Sequence, residues 1–431
     1  MNAETLIVGA GIFGLSTAYN LAQRTTDPST IIVLDRASPP SEHAASTDIN
    51  KIIRADYSNP LYMELGLEAI QAWQNNPLFK DEEVYHQTGW IMCDELGSDL
   101  GERIRQNFQT FNLDPMQEFK EDDIRRNWDG LLEDADLSPF GSFYFNPLAG
   151  WADAGRALEV MAREIQRMGV RYVIGEAEQL VLGESKVKGV QTKSGDIIIA
   201  TKVVLCTGAW TNSLIAPTED VLDIPVQDRV ETQMTAAGVC VAHLQLSEEE
   251  RIRFNQLPVY VYGGQGEVIP PTSSGVLKFT SSTSFQNTIQ TSTGYTISIP
   301  TNNQSIIPKT LQNESINSIK ARLPQTLSKD RPVDYYRLCW DAITPDQHPL
   351  ITQHPHPQLS NLYLAAGGSF HCWKFLPTIG TYVANVLAGI SNGASRDSAW
   401  TWKKTETEGN DLNLGGVHSS LKPSRQLRDI H

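Results

Sequence analysis

The order of apolar and polar positions at the start of the chain predicts a strand, a helix and a second strand. Residues 6–8 are a short apolar run, and residues 31–34 are another that ends at Asp35. Short apolar runs bounded by glycine or polar residues are typical of buried strands. The segment 15–24 between them has the mixed pattern of a helix that packs on a sheet. The N-terminus therefore predicts one βαβ unit.

Three glycines mark the turn between the first strand and the helix. Gly9 allows the tight turn, Gly11 lets the backbone approach a pyrophosphate, and Gly14 packs the helix on the sheet. Asp35 lies about 20 residues further on, where a carboxylate accepts hydrogen bonds from an adenosine ribose. Glycine-rich turns before helices are common, but all these elements in register predict a dinucleotide site. The motif by itself leaves NAD and FAD both open.

The segment 170–210 has the alternating pattern of a β-meander that leads into a further buried strand. The predicted strands are 171–174, 178–182, 187–191 and 196–200, and the closing strand starts at Val203. Small residues at its end let the chain pass close to a bound nucleotide. This order resembles the FAD-binding domain of flavoprotein oxidases, and NAD-binding domains do not need the meander. The sequence therefore favours FAD.

Signals of the nucleotide-binding part fall in three separate blocks, which predicts a discontinuous domain. The blocks are 1–85, 150–215 and 330–395, the inserts are 86–149 and 216–329, and a polar C-terminal tail covers 403–431. Alternating runs in the second insert predict an antiparallel sheet that forms a substrate domain over the cofactor. The expected fold is α/β, organised as α+β in two domains. The first is Rossmann-like, of the type in glutathione reductase and D-amino acid oxidase.

Composition narrows the class of protein and its partners. The chain has 431 residues, of which 40% are hydrophobic and 20% charged, as in an ordinary globular protein of two domains. Its net charge of −15 argues against nucleic acid and anionic membranes as partners. The sequence has no apolar run near the roughly 18 residues of a membrane span, and the first strand leaves no room for a signal peptide. We expect a cytoplasmic monomer.

The five cysteines are scattered along the chain and have no metal-like spacing. An odd number of isolated cysteines suits a reducing compartment and does not predict a disulfide framework or a metal site. Buried structural thiols are the expected role for Cys93, Cys206, Cys240 and Cys372.

Three further segments carry the most specific pattern. They are Asn50-Lys-Ile-Ile-Arg54, Cys339-Trp-Asp-Ala-Ile-Thr-Pro-Asp346 and Gly367-Gly-Ser-Phe-His-Cys-Trp-Lys374. Together they resemble the monomeric sarcosine oxidase and fructosyl amino acid oxidase (amadoriase) family of FAD enzymes, in its fungal amadoriase form. The resemblance covers nearly the whole chain.

The resemblance implies a covalently bound FAD. In that family a cysteine at the position of Cys339 is joined through sulfur to the flavin 8α-methyl carbon, and this chemistry needs a thiolate beside an electron-poor ring. The alternative for Cys339 is a buried structural thiol. The implied cofactor-binding residues are Gly9, Gly11, Ile12, Phe13, Gly14, Asp35, Arg36, Ser46, Asn50, Lys51, Thr207, Gly208, Trp210, Cys339, Asp346, Gly368, Ser369, Phe370, His371 and Lys374.

The resemblance also assigns catalytic roles to three residues. Lys51 corresponds to a basic group near flavin N5, Lys278 to a lysine that assists oxygen reduction, and His371 to a histidine that faces the substrate. A helix from Ser369 through Lys374 to Leu387 is predicted, and its N-terminus would stabilise an anionic flavin.

Arg54 and Lys374 correspond to residues that hold the substrate carboxylate. Arginine suits a bidentate contact with a carboxylate. In the predicted helix Lys374 and His371 are three residues apart and share one face. The alternative for these cations is a solvated surface position.

Departures from the family pattern concern the substrate. Ser282 stands where the family has a glutamate that grips sugar hydroxyls, and Trp402-Lys403 replaces a Trp-Arg pair. Tyr260 and Tyr262 lie where the family has an acidic segment, and we expect both to bind substrate. A site without those polar groups discriminates weakly in favour of a polyol. The sugar is therefore not the expected substrate.

The sequence predicts an FAD-dependent amine oxidase. The expected substrate is a secondary amine, an N-substituted or N-methyl amino acid of aromatic character from a specialised biosynthetic pathway. It is oxidised to an imine while O₂ is reduced to hydrogen peroxide, and the flavin carries this chemistry. The alternatives are a fructosyl amino acid oxidase, a non-catalytic flavin-binding sensor, and a dehydrogenase with another electron acceptor.

Overall fold

The structure is a computed structural model that describes residues 1–281, 283–327, 331–403 and 425–431. Ser282 and most of the predicted tail, residues 404–424, therefore lie outside the described residues. The strands are β1 (Asn2–Val8), β2 (Ile31–Asp35), β3 (Asn50–Ile53), β4 (Tyr85–His86), β5 (Trp90–Glu95), β6 (Gln117–Phe119), β7 (Phe140–Asn146), β8 (Gly150–Asp153), β9 (Arg171–Ile174), β10 (Ala177–Leu182), β11 (Val187–Thr192), β12 (Ile197–Leu205), β13 (Thr235–Gln245), β14 (Val259–Tyr262), β15 (Gly266–Ile269), β16 (Val276–Ser281), β17 (Phe285–Gln286), β18 (Thr288–Gln290), β19 (Thr296–Ser298), β20 (Tyr335–Ile343), β21 (Leu350–Gln353), β22 (Leu362–Ala366) and β23 (Arg425–Gln426). The helices are α1 (Ile12–Arg24), α2 (Pro60–Asn75), α3 (Pro77–Lys80), α4 (Leu100–Thr110), α5 (Glu121–Arg126), α6 (Ala154–Arg167), α7 (Thr211–Val221), α8 (Glu248–Phe254), α9 (Lys309–Arg322), α10 (Ile379–Leu387) and α11 (Ala394–Trp400).

The first sheet has β1 at its centre. β1 pairs in parallel with β2 on one side and with β12 on the other, and β9 and β22 extend the sheet in parallel beyond them. Residues 6–8 of β1 and 31–34 of β2 are buried, because helices cover the sheet where its strands are parallel. The predicted βαβ unit is confirmed as β1, α1 and β2.

The meander next to this sheet differs in detail from the prediction. β10, β11 and β12 are antiparallel neighbours, but β9 pairs with β2 at the opposite edge. The predicted strand 196–200 and the start of the predicted closing strand 203–210 form one continuous strand, β12, which ends at Leu205. Its start pairs with β11 and its end pairs with β1 and β22. Thr201 and Lys202, which lie between the two predicted strands, belong to this one strand.

The second sheet is built mainly from the inserts. Its strand order is β23-β17-β13-β16-β15-β14-β5-β7-β6, and β20 pairs antiparallel with β13 along nine residues. Most pairs are antiparallel, while β14–β5 and β17–β23 are parallel. β20 was predicted within the third nucleotide-binding block, but the structure places it in this second sheet. The strands β3, β8 and β4 form a separate small sheet, with β8 in the middle.

The last described residues return to the second sheet. β23 pairs with β17, and Ile430 packs in a cluster with Phe285 and Trp340. This end of the predicted tail is therefore part of the folded protein.

Side chains of the second sheet alternate between two faces, as the strand repeat of two residues requires. We call one of them the inner face; it carries Val239, Val241, Val261, Glu267, Ile269, Lys278, Thr280 and Cys339, which the strand register places beside one another. The other face packs in a hydrophobic cluster with Phe140 and Leu323. None of the described helices is long and apolar enough to cross a membrane.

Candidate active site

A cleft of about 620 Å³ opens at the carboxyl ends of the parallel strands. It extends from Asp35 at the end of β2, past Gly11 before α1, to Gly368 and Phe370 after β22. Ligands of open α/β sheets bind at this edge. The cleft is therefore the candidate cofactor site.

The glycines of the first turn are required by close contacts. Gly9 has φ of 102°, and a Cβ atom there would lie 2.4 Å from the carbonyl oxygen of Cys206. A Cβ atom on Gly14 would lie 1.8 Å from the carbonyl oxygen of Gly9, so Gly14 packs α1 against the turn and does not line the cleft. The turn thus runs between β1 and β12 without room for larger side chains.

The N-terminus of α1 provides an anion-binding site. The residue before the helix, Gly11, makes no side-chain cap, and Ile12 N donates to Ser46 Oγ at 3.2 Å. Backbone N–H groups and the helix dipole at such an end favour a phosphate. Asp35 lines the cleft and also fixes the turn, because its Oδ2 accepts a hydrogen bond from Ala10 N at 2.7 Å. These residues fit the pyrophosphate and ribose of a dinucleotide.

Most of the predicted cofactor-binding residues line this cleft. They are Gly9, Gly11, Ile12, Phe13, Asp35, Arg36, Ser46, Lys51, Thr207, Gly208, Trp210, Gly368 and Phe370. Arg36 stacks on Trp210, with Cζ 4.5 Å from the ring centroid. This platform at the Asp35 end suits a flat ring system such as adenine.

Three residues predicted to bind the cofactor do not line the cleft, and their side chains contact other parts of the protein. Asn50 is fully buried and donates to Pro270 O at 2.8 Å. Asp346 accepts from His348 N at 3.0 Å and lies 3.4 Å from Lys403 Nζ, while Ser369 Oγ accepts from Thr344 N. These three side chains do not line the cleft, and a direct contact between them and the cofactor stays a prediction from the sequence.

A smaller pocket of about 80 Å³ adjoins the cleft. Lys51, Phe370 and Trp373 line both spaces, so the two meet there. The inner face of the second sheet forms one wall, with Cys339 and Glu267, and the opposite wall carries Arg54, His371 and Lys374. The fold thus brings together Lys51, Arg54, Cys339, His371 and Lys374, as predicted.

Arg54 is held rigidly although only 3% of it is exposed. Its guanidinium donates to the carbonyl oxygen of Asp56, and its Cζ lies 4.2 Å from the ring centroid of Tyr57 and 5.0 Å from that of Trp90. The Asp56 carboxylate accepts from Trp90 Nε1 and Asn146 Nδ2, while burial raises the pKa of Asp56. Stacking and hydrogen bonding preorganise the guanidinium for a planar anion.

Lys374 begins a hydrogen-bonded chain through Tyr57 to His371. Lys374 Nζ donates to Tyr57 Oη at 2.8 Å, and Tyr57 Oη lies 3.1 Å from His371 Nδ1. His371 Nε2 lies 2.8 Å from the carbonyl oxygen of Gln347, which only accepts. A neutral His371 therefore carries hydrogen on Nε2 and accepts the Tyr57 hydroxyl at Nδ1. Burial, and then the charge of Arg54, lower the pKa of Lys374 well below its ordinary value.

Asp48 joins Lys51 and Lys278. Asp48 Oδ2 lies 3.0 Å from Lys51 Nζ and 2.9 Å from Lys278 Nζ, which also donates to Asn50 O at 2.7 Å. Burial by itself raises the pKa of Asp48, but the two ammonium groups outweigh burial and hold that pKa well below its ordinary value. The catalytic candidate Lys278 therefore lies beneath the pocket wall, next to Lys51.

The pKa values of the two lysines shift in opposite directions, although Asp48 raises both. Burial lowers the pKa of Lys278 in spite of Asp48, whereas for Lys51 the carboxylate outweighs burial and raises the pKa. The side chain of Lys278 is 1% exposed and that of Lys51 is 22% exposed, so desolvation is the stronger effect at Lys278.

The predicted helix from Ser369 to Leu387 is wrong in its first half. Residues 372–375 form a 3₁₀ turn, and α10 begins only at Ile379. Ser369 and Phe370 have φ of 47° and 58°, and Phe370 N donates to Asp341 Oδ2 at 2.8 Å. His371 and Lys374 therefore share the pocket through this tight loop and not through a helix face.

The substrate-binding assignment of Tyr260 and Tyr262 is contradicted by the structure. Both side chains are buried in the cluster on the far face of the second sheet, and Val261 between them lines the pocket. The chain turns back through the Gly263–Gln265 turn into β15, which brings Glu267 opposite Val261. The pocket thus receives an acidic side chain where we expected aromatic ones.

Several site residues were missed in the sequence. Asp48, Tyr57, Glu267, Asp341 and Trp373 line or support the two spaces. Asp341 is two residues after Cys339 on β20, so strand periodicity alone places both side chains on one face. Glu267 gives no such signal, because its placement depends on the register of a hairpin.

Comparison with known proteins identifies the family of the chain. The family model described as DAO, FAD dependent oxidoreductase, matches residues 4–386. L-saccharopine oxidase of Schizosaccharomyces pombe is 29% identical, over 94% of this chain and 94% of its own length, and a monomeric sarcosine oxidase of a Bacillus species is 22% identical over 89% and 91%. The crystal structure of fructosamine oxidase (Amadoriase II) from Aspergillus fumigatus superposes with a TM-score of 0.85 at 27% identity, covering 100% of this chain and 96% of that one.

These matches confirm the predicted family resemblance, the mixed α/β fold and an FAD-dependent enzyme of the amine oxidase group. The match to the family model covers the turn at Gly9, the loop at Gly368 and both spaces between them. The chain therefore belongs to the DAO family of FAD-dependent oxidoreductases.

Proposed function

We propose that the chain oxidises the C–N bond of a secondary amine that carries a carboxylate, an N-substituted amino acid. One observation carries this proposal: Arg54 and Lys374 are buried side by side around Tyr57, and neither forms an ion pair with a carboxylate of the described residues. Buried charges are normally paired. A substrate carboxylate between them supplies the missing counter-ion.

The reaction has a simple balance. The amine loses a hydride from the carbon next to nitrogen and a proton from nitrogen, and it becomes an imine while O₂ becomes H₂O₂. The large cleft, with Gly11, Asp35 and Gly368, would hold FAD, and this group would supply the hydride acceptor and the route of the electrons to oxygen. Nearby cations disfavour a protonated amine, so Arg54, Lys374 and Lys51 keep the substrate nitrogen neutral and able to react.

The relatives agree with this substrate class. Sarcosine and saccharopine, after which two of them are named, are both amino acids with a substituted nitrogen. The aromatic character expected from Tyr260 and Tyr262 loses its basis, since both side chains face away from the pocket. A monomeric state, a cytoplasmic location and a role in specialised biosynthesis stay predictions from the sequence.

Peroxide release from a panel of amines tests the proposal. The panel contains N-methylated and N-alkylated amino acids, the corresponding primary amino acids, and amines without a carboxylate. We expect hydrogen peroxide only with secondary amines that have a carboxylate near the nitrogen. Turnover of primary amino acids alone would contradict the proposal.

A fructosyl amino acid oxidase is the second candidate, because the fold is shared with Amadoriase II. Against it, Lys403, which replaces the family arginine, points away from the pocket toward Asp346 and the carbonyl oxygens of Ser398 and Ala399. Fructosyl-valine in the same panel should therefore give a kcat/KM well below that of the best N-alkyl amino acid. A preference for fructosyl-valine would favour this second function.

We also propose that Cys339 binds FAD covalently. Its side chain is 3% exposed on the inner face, and it lines the pocket together with Phe370 and Lys51. The bond to the flavin requires a thiolate, the form that attacks an electrophilic carbon, and Lys51 places a positive charge in the same pocket.

Acid precipitation measures this link. Yellow colour should remain with the precipitated wild-type protein, whereas Cys339→Ser should release its flavin into the supernatant. Cys240→Ser, at a buried thiol outside both spaces, is the matched control and should keep the flavin in the pellet. Flavin in the wild-type supernatant would rule out the bond.

A further inference from the structure

Glu267 is an acidic side chain in the smaller pocket that the proposed reaction does not use. It lies on the inner face of β15, between Val261 on β14 and Thr280 on β16, and it is half-buried. Among the described residues its carboxylate has no ion pair and no hydrogen-bond partner. A half-buried carboxylate in a pocket without a partner is costly unless a ligand or water satisfies it.

The other carboxylate at this pocket is already engaged. Asp48 binds both Lys51 and Lys278 through one oxygen atom. Asp48 therefore balances Lys51 and Lys278 at short range. Glu267 forms no ion pair with either lysine, although its charge acts on Lys278 and Arg322 from further away.

The pocket thus has charges of opposite sign on its two walls. Arg54 and Lys374 lie on the wall that belongs to the first 60 residues and the loop after β22, and Glu267 lies on the sheet opposite. Glu267 is close enough to act on Lys374 electrostatically, since its charge raises a Lys374 pKa that burial lowers. A substrate with one charge could satisfy only one wall.

We propose that Glu267 binds a cationic group on the second arm of the substrate, an ammonium carried on the nitrogen substituent. The inference rests on the proposed function, because Arg54 and Lys374 must hold the carboxylate of the other arm. The substrate class is then a secondary amine with a carboxylate on one side and an ammonium group on the other, such as an amino acid linked through its nitrogen to a diamine or to a lysine side chain. Glu267 acts as a specificity residue and takes no part in hydride transfer.

Pairs of isosteric substrates isolate this contact. N-(ω-aminoalkyl)glycines with about two to six methylene groups end in an ammonium, and N-alkylglycines one carbon longer end in a methyl group of the same size. Both members keep the glycine carboxylate and the secondary nitrogen. At the best chain length, wild-type enzyme should prefer the ammonium member by roughly 10- to 100-fold in kcat/KM, as for a charge-assisted hydrogen bond in a partly exposed site.

Two variants test whether Glu267 causes that preference. Glu267→Gln keeps the shape of the side chain and should abolish the preference, leaving the methyl-ended member within about 3-fold of wild type. Glu267→Lys should reverse it, so that N-(ω-carboxyalkyl)glycines become better substrates than the ammonium compounds. Glu184→Gln, at an exposed turn far from both spaces, is the control and should behave as wild type.

Each outcome decides one question. Equal rates with both members in wild type, or an unchanged preference in Glu267→Gln, would overturn the role of Glu267 and leave the proposed function standing. Failure of every N-substituted glycine to reduce the flavin would contradict the proposed function itself. In that case the dissociation constants of the same pairs, titrated through the flavin absorbance, decide on Glu267: tighter binding of the ammonium member supports it, and equal binding rejects it.

Discussion

Replacing Arg54 with alanine is expected to lower kcat/KM for an N-alkyl amino acid by at least about 30-fold. Losing one partner of a buried, charge-assisted contact costs on the order of 2–5 kcal/mol. Arg54 is fixed by the Asp56 carbonyl and by the rings of Tyr57 and Trp90, so another cation cannot readily take its place. Steady-state peroxide formation over a range of substrate concentrations measures the effect.

The control for Arg54 is a substrate without the carboxylate. A secondary alkylamine of the same length should be a poor substrate for wild type. Arg54→Ala should change the kcat/KM of this amine by less than about 3-fold, because it has no carboxylate for Arg54 to contact. Arg105→Ala, at a surface ion pair with Asp114, should leave both substrates unaffected. An equal loss of kcat/KM for both amines would indicate that Arg54 supports the structure and does not bind the substrate carboxylate.

Lys374→Met is expected to give a loss of similar size. The lysine and the guanidinium both lie against Tyr57, and under the proposed function each contacts one oxygen of the substrate carboxylate. Methionine keeps the buried volume but removes the charge, and the flavin should remain bound. Lys188→Met on the surface is the matched control. Unchanged kinetics in Lys374→Met would leave Arg54 as the sole carboxylate ligand.

Replacing Asp48 with asparagine is expected to destabilise the protein by about 3–5 kcal/mol. Removing one partner of a buried ion pair leaves an uncompensated charge. Here two ammonium groups lose their shared carboxylate, and the side chain of Lys278 is only 1% exposed. Urea unfolding of the flavin-loaded protein should show a lower midpoint with an unchanged slope. Asp122→Asn, at an exposed ion pair with Arg126, should change stability by less than about 1 kcal/mol.

The pH dependence of this difference follows from the sign of the Asp48 shift. The folded-state pKa of Asp48 lies well below its ordinary value of 3.8. The carboxylate therefore stabilises the folded protein fully above about pH 4, and this contribution is lost as the pH falls through the folded-state pKa. The gap between wild type and Asp48→Asn should be constant near neutral pH and should shrink in acid. A gap that widens in acid would contradict the ion-pair account.

The cofactor-binding half of the fold is predictable from local sequence. Gly14 is required by a contact within the turn, and Gly9 by its positive φ as well as by its close approach to Cys206. The strands on either side of α1 are continuous apolar runs. Local signals of this kind do not depend on distant strand pairing. The pocket cations at Lys51, Arg54 and Lys374 were found because short segments around them resemble known oxidases.

The substrate side of the site depends on pairings that the sequence does not display. A shift of one residue in β14 exchanges Tyr260 and Tyr262 for Val261 at the pocket, and the register is set by the hairpin into β15. The same hairpin brings Glu267 to the pocket. In the loop after β22, Ser369 and Phe370 have positive φ angles that a helix does not contain, and the half-buried Asp341 on β20 holds this loop through Phe370 N.

Anaerobic mixing of the purified yellow protein with an N-alkyl amino acid tests the central claim most directly. The account predicts loss of the oxidised flavin absorbance, with one equivalent of amine converted to an imine that hydrolyses to a carbonyl compound and an amine. Admission of air should restore the colour and release one equivalent of hydrogen peroxide. A flavin that stays oxidised with every carboxylate-bearing secondary amine, but is reduced by an amine without a carboxylate, would contradict the account.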